Sequence, residues 1–239
     1  LTVAALVLGA AVLAVLYGPR DTSRTTVTAQ ASEQKTVEFG DGSTARLVGT
    51  STLSYTPNMA TAERRRVTLT LGRAYFDVAP KEDASFVVST PSAQAEALGT
   101  TFGVATGNDT TEVVLVEGKV RVAAAGDAGA TESVVLAPGE RSTVRKGGTP
   151  TPPLATDLNR TLEWTGLFVF RSTTTAAIAE RLSAHYGVTV TVAPVLADAS
   201  VTGTFERDQP VAQVLRTVAR TLGADVRTEG DTYRIEPSS

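Results

Sequence analysis

The stretch RVTLTL, Arg66 to Leu71, places Val67, Leu69 and Leu71 on one face of an extended chain and Thr68 and Thr70 on the other, before Gly72 interrupts it. Strict apolar/polar alternation marks a half-buried strand, because successive side chains of a strand point to opposite faces. The same texture recurs on both sides. TVEF runs into Gly40-Asp41-Gly42, a hairpin cue. FVV at 86–88, AEAL at 95–98, EVVLVEGKVRV at 112–122 and SVVL before Ala137-Pro138-Gly139 read as further strands. No segment of helical period and ordinary length interrupts them. The spacing predicts an all-β domain over residues 35–146, either a sandwich or barrel or a solenoid-like stack of short strands.

Within it, LGTTFGV, Leu98 to Val104, has the look of a phosphate loop. Such a loop needs a helix directly after it whose N-terminus faces the anion. The chain continues instead through Ala105-Thr106-Gly107-Asn108-Asp109, a hairpin turn with no lysine. Gly99 and Gly103 are therefore expected to permit a bulge or a close backbone approach, with Phe102 entering the core.

KGGTPTPPL, Lys146 to Leu154, suits neither helix nor sheet interior and opens a linker assigned to 147–160. The period then changes. Ser172 or Thr173 is placed to cap a helix carrying Ile178 and Leu182, which Gly187 ends. VTVTV, Val188 to Val192, is a strand. Asp208 caps a second helix with Pro210 in its first turn, an apolar stripe of Val211, Val214, Leu215, Val218 and Leu222, and Gly223 at its end. ADVRT and TYRIE flank a Glu229-Gly230-Asp231 turn. With LFVF and SVTGTF ahead of the two helices, residues 161–239 read as two βαβ-like halves sharing one small sheet. The fold class is thus mainly β with a small α/β domain.

The N-terminus points to a membrane. LTVAALVLGAAVLAVLY, Leu1 to Tyr17, is uncharged, and residues 1–18 are assigned as a transmembrane helix whose apolar surface includes Leu6, Leu8, Val12, Leu13 and Leu16. Tyr17 sits where an interfacial aromatic belongs. A Thr/Ser/Gln-rich linker is assigned to 19–34. AQA at 29–31 has the small-x-small form of a signal-peptide cleavage site, which is the alternative. The distance from the apolar run, and the lack of a basic segment before it, favour a signal anchor preceded by a cytoplasmic segment.

Composition narrows the chemistry. The 239 residues carry a net charge of -3, so no strongly basic face for nucleic acid is expected. The one dense basic cluster, Arg64-Arg65-Arg66, reads as a solvated strand end. There is no cysteine and a single histidine, His185, which removes thiol nucleophiles and Cys-type zinc sites. His185 lies near a helix C-terminus, where a cation complements the dipole. Asp41, Glu82, Asp83, Glu112 and Glu117 each lie beside a turn or at a strand end, with no aromatic platform for a sugar. Trp164 reads as a packing anchor at the domain junction. No catalytic set, metal site or cofactor is expected, so the chain is read as no enzyme.

Several motifs in order resemble those of the FecR family of envelope sensors: FGDGSTARLVGTSTLSY, VTLTLGRAYFDVA, FVVSTPSAQAEALGTTFGV, VLVEGKVRV, LAPGERSTV and WTGLFVF. The C-terminal part resembles the secretin and TonB short N-terminal-like fold. The resemblance implies a single-pass inner-membrane anti-sigma regulator with residues from about 19 onward in the periplasm. Its partners would be the N-terminal signalling domain of an outer-membrane TonB-dependent transporter, for iron uptake or glycan import, and a cytoplasmic extracytoplasmic-function (ECF) sigma factor. It would act in signal transduction and transcription regulation. Strand addition at a sheet edge is the expected mode of partner binding, with Val188, Val190, Val192, Val201, Gly203, Thr204 and Phe205 as candidate residues. The signal would then pass to the membrane helix, by exposing a cleavage site near 25–31 or by reorienting the helix. The rival reading is an envelope-anchored structural or glycan-binding β-module without sigma-factor control.

Overall fold

The structure, a computed structural model, describes residues 24–57, 59–61, 64–82, 84–126 and 132–238. The expected membrane helix, with Leu6, Leu8, Val12, Leu13 and Leu16, lies outside the described residues. Among the described residues no helix is long and apolar enough to cross a membrane.

The N-terminal part is all β: β1 Thr25–Ala29, β2 Gln34–Glu38, β3 Thr44–Tyr55, β4 Arg64–Val78, β5 Ser85–Ser89, β6 Ala93–Ala97, β7 Thr100–Gly107, β8 Thr110–Glu117, β9 Val120–Ala124, β10 Ser133–Leu136, β11 Glu140–Arg145 and β12 Leu154–Ala155. The long β4 organises them. One edge pairs with β3, while the other pairs with β5 in parallel along its first part and with β7 antiparallel along its second. Two arms leave that spine, β5-β6-β9-β10 and β7-β8-β11-β12. Their inner faces share one core, in which Val88, Ala95 and Val122 of one arm join Phe102, Val113 and Leu115 of the other. The arms face each other as in a sandwich, with β9 and β10 returning against β11.

The strand opened by Arg66 does not end at Gly72. Val67 and Leu69 are buried, Leu71 is exposed, and the inward set resumes as Ala74, Phe76 and Val78. Gly72, at a φ of +94°, is the point of inversion, and a Cβ there would lie 2.2 Å from Ser51 Oγ. The opposing β3 is irregular at the same level, between Val48 and Thr52. The glycine therefore shifts the register of a continuous strand, as a bulge does.

Two sequence readings are corrected in this part. Val27 and Ala29 pack into the core and β1 pairs with β3, so the stretch read as linker contributes a strand, because Thr25–Ala29 alternates as a half-buried strand must. Arg65 is not solvated. It is fully buried and forms a 2.8 Å ion pair with Asp41, whose side chain is 3% exposed. Its guanidinium also donates to the carbonyls of Ala79, Ala84 and Leu98. The reason is strand parity, since position 65 shares the inward face with 67 and 69.

The C-terminal part comprises α1 Leu158–Thr161, β13 Leu167–Thr174, α2 Thr175–Tyr186, β14 Thr189–Val192, β15 Ser200–Glu206, α3 Val211–Thr221, β16 Ala224–Glu229 and β17 Thr232–Pro237. Both longer helices sit where the periodicity puts them. The caps differ: Thr174 caps α2 by accepting from Ala177 N–H, and Pro210 occupies the α3 cap without a side-chain bond. Gly187 closes α2 at a φ of +66°. The strands do not share one sheet. β13 and β15 form an antiparallel pair, while β14, β17 and β16 form a separate sheet in that order. The division follows from β13, whose four apolar residues are all buried. Phe168 and Phe170 face the helical core, whereas Leu167 and Val169 face the β part.

Candidate functional site

The seam between the two parts is built around the stretch LGTTFGV. Phe102 enters the core, 5.3 Å from the Phe76 ring. Its neighbour Gly103 opens outward, where a Cβ would lie 2.6 Å from Leu162 Cδ2 and 3.4 Å from Trp164 Cζ2. The glycine thus admits the turn after α1 against the sheet. Leu158, Leu162, Leu167 and Val169 pack there on Tyr75, Val114 and Val116, with Trp164 beside them. Part of the segment read as linker is therefore interface. Trp164 is the packing element expected of it, with Arg73 6.0 Å from its ring.

Polar groups close the seam at one side. Arg46 of β3 makes a bidentate pair with Glu206 at the end of β15, Nη1 donating to Oε2 at 2.8 Å and Nη2 to Oε1. The Glu206 contact pushes the Arg46 guanidinium up despite burial, and Arg46 in turn holds the Glu206 carboxyl below the usual carboxylate range. Tyr75 lies behind them with its hydroxyl buried and lacking a well-formed hydrogen bond. Burial drives its pKa up to about 12, opposed by the neighbouring Thr204 side chain. Between β15 and the sheet runs a cleft of about 410 Å³, lined by Thr36, Arg46, Asp77, Thr101, Thr204 and Phe205.

The two candidate edge strands differ in how their outer edges are occupied. Arg207 N–H donates to Gly166 O at 2.9 Å, and Glu206, Phe205, Thr204 and Gly203 stand opposite Leu167, Phe168, Val169 and Phe170. Bonded and non-bonded pairs alternate along an antiparallel ladder. Residues 203, 205 and 207 therefore turn their backbone groups to β13, and Thr204 and Glu206 turn theirs away. No strand among the described residues pairs on that side. In β14 the corresponding groups belong to residues 190 and 192, since Thr189 N–H reaches Asp231 O and Ala193 N–H reaches Ile235 O on the β17 side. There Ser183 Oγ of α2 already accepts from Val190 N–H at 2.9 Å. The β14 edge is thus capped at Val190 N–H and the β15 edge at Glu206 O, which accepts from Gln209 N–H at 3.4 Å, so β15 is open at Thr204.

The seven candidate residues do not form one surface. Val190 and Val201 are buried, Val188, Val192 and Phe205 pack against the same core, and Gly203 lies against the Phe205 ring, so these side chains hold the fold. Of the seven, Thr204 alone is exposed on the open edge. Arg46, Tyr75 and Glu206 were not anticipated, because a pair separated by 160 positions leaves no mark in local pattern. Of the carboxylates weighed for chemistry, Asp41 and Glu112 are held by Arg65 and Arg141. His185 lies in the last turn of α2, edge-on to Phe168 at 5.0 Å.

Comparison with known proteins agrees with this architecture. The profile of the FecR protein family matches residues 25–121, and that of the FecR C-terminal domain matches residues 167–235. No curated protein matches the chain. Two crystal structures of a "putative anti-sigma factor" from Parabacteroides distasonis ATCC 8503 superpose with a TM-score of 0.53. One is 22% identical over 91% of this chain and 100% of its own, the other 23% identical over 90% and 100%. At that identity the likeness speaks for the fold. On the two matches in succession, the chain belongs to the FecR family.

Proposed function

We propose that this FecR-family chain is a sigma-factor regulator that receives its signal on β15. The observation that carries the reading is the open edge at Thr204, whose backbone groups turn away from β13 beside a cleft walled by the β part. Unpaired edges recruit strands, because main-chain bonds supply affinity and alternate side-chain positions supply specificity. The partner on that edge is the N-terminal signalling domain of an outer-membrane TonB-dependent transporter. Residues 1–18 anchor the chain in the inner membrane, and an ECF sigma factor is controlled on its cytoplasmic side.

The arrangement offers a route for the signal. A strand entering the cleft meets the Arg46–Glu206 pair, and Arg46 belongs to β3. The far end of β3, from Ser51 to Tyr55, is where β1 is paired. Displacement at Arg46 is thereby felt at the strand nearest the membrane segment. Proteolysis within Thr25–Ala29 would require β1 to leave that ladder first, because a protease needs an extended, unpaired backbone. The glycan-binding alternative is disfavoured by Trp164, which is packed at the seam rather than displayed as a sugar platform.

Thr204→Pro tests the reading. Its N–H makes no ladder bond, and the residue before it is Gly203, which tolerates the restriction that proline imposes on its predecessor. The variant is expected to retain the far-UV circular dichroism of the parent while losing binding to the transporter signalling domain by about tenfold or more, the loss of a main-chain bond plus a steric block. Unchanged affinity in a folded variant refutes strand addition at β15.

A further inference from the structure

On the side of the C-terminal part away from the β15 edge, two open pockets share Asn159 and Arg181 and join into one groove along α1, β13 and α2. Arg160, Arg171, Arg181 and Arg207 line it, against only Asp157 and Glu163. Four guanidiniums to two carboxylates is a local reversal in a chain of net charge -3. Arg160 and Arg171 are exposed and join none of the ion pairs found among the described residues.

Arg207 is the fixed point of the groove. Its Nε donates to Leu167 O at 3.1 Å and its Nη2 to Asn159 O at 3.0 Å, and its guanidinium lies 4.8 Å from the Phe168 ring centroid. The side chain is 19% exposed. Its one carboxylate neighbour, Glu163, is 3.4 Å away and 71% exposed, a loose contact that an incoming anion can displace. A guanidinium already immobilised forfeits little side-chain entropy when it binds, and its planar fork matches a carboxylate. Ala184, exposed at the wall, offers a small apolar contact to the methylenes of an acidic side chain. Glu163 at the rim disfavours a doubly charged phosphate more than a single carboxylate.

We propose that this groove binds an extended acidic segment of a partner protein, its Asp or Glu carboxylates paired with Arg160, Arg171 and Arg207, while Arg181 stays held by Asp157 at 2.8 Å and adds its charge to the wall. It is a second contact surface, and it stands whether or not β15 accepts a strand. The probe is fluorescein-labelled hexaglutamate, with hexaglutamine as its neutral counterpart. Each is titrated against the full chain in neutral detergent micelles at low salt and followed by fluorescence anisotropy. Hexaglutamate is expected to bind saturably and hexaglutamine not. Arg160→Glu/Arg171→Glu should weaken binding by about tenfold or more, because charge-assisted bonds become repulsions. Arg216→Glu/Arg220→Glu, on the exposed face of α3, carries the same change in net charge and should weaken it by less than about twofold. No saturation with hexaglutamate, equal loss in the two double variants, or unchanged binding in the groove variant each overturns the assignment.

Discussion

Replacing Arg65 with Met removes the only guanidinium among the described residues that lies wholly inside the β core. Met has similar length, so the cavity is small and the dominant effect is electrostatic. Asp41, with its side chain 3% exposed, loses its 2.8 Å partner, and the carbonyls of Ala79, Ala84 and Leu98 lose their donors. Breaking one side of a buried ion pair costs about 3–5 kcal/mol, because the remaining charge stays desolvated. For a chain of this size that lowers the midpoint of thermal unfolding by about 6–20 °C. The pH dependence gives an independent reading. Burial raises the Asp41 carboxyl, but the hydrogen bonds from Arg65 and Ser43 together outweigh it, and its pKa lies below the ordinary value. The stabilisation from that depression is complete above about pH 4 and is lost as pH falls through the folded-state pKa. In Arg65→Met the main cause of the depression is gone, so the acid-side decline attributable to Asp41 should flatten. Guanidinium unfolding followed by circular dichroism between about pH 3 and 7 measures both effects. A destabilisation below about 1 kcal/mol, or an acid-side slope equal to that of the parent, would refute the pairing as the source of stability.

Gly103→Val places a branched side chain where Leu162 Cδ2 already stands 2.6 Å from the Cβ position. It should cost about 1–3 kcal/mol by overpacking and shift Trp164 emission to the red as the seam opens; an unshifted spectrum counts against a glycine-dependent seam. Arg46→Ala removes a pair that is about a quarter to a third exposed, 24% and 37% for the two side chains, so solvent screening limits the cost to about 1 kcal/mol. A double-mutant cycle with Glu206→Ala should show that the two losses are not additive, and strict additivity would deny the link between β3 and β15. Because Arg46 depresses Glu206, that coupling should be full above about pH 4.5 and fade as the solution is acidified through the folded pKa.

How far the sequence could be read depends on whether a feature is local. The strands around Val67 and Leu69, the hairpin at Gly40-Asp41-Gly42 and both longer helices of the C-terminal part follow from period and turn chemistry, which operate over a few residues. The division of the C-terminal strands into two sheets does not, because it depends on β13 being buried on both faces, and the second face belongs to the β part. Arg65 was misread although its cue was present. Its parity with Val67 and Leu69 puts it inside, and only the assumption that a run of three arginines is solvated hid this. The Arg46–Glu206 pair had no cue at all, since neither residue stands out in its own strand.

Those non-local contacts are also the ones that give the molecule its direction. β3 carries Arg46 near one end and pairs with β1 at the other, and the irregularity at Val48 to Thr52 lies between them, opposite the inversion at Gly72. A regular strand would transmit a displacement at Arg46 as a rigid translation. A strand interrupted at its middle has two segments that can move separately, and Ser51 holds them together by accepting from Arg73 N–H while donating to Val48 O. The seam at Arg46 and the pairing of β1 are thus linked along β3 past the Ser51 hydroxyl and two glycines of positive φ, Gly49 and Gly72, and beside it through β2, where Gly49 N–H donates to Glu33 O and Lys35 Nζ donates to Thr28 O. Ser51→Ala should therefore loosen the β1 end of β3 while leaving the Arg46–Glu206 pair in place, read as faster amide hydrogen exchange in β1 with exchange in β15 unchanged.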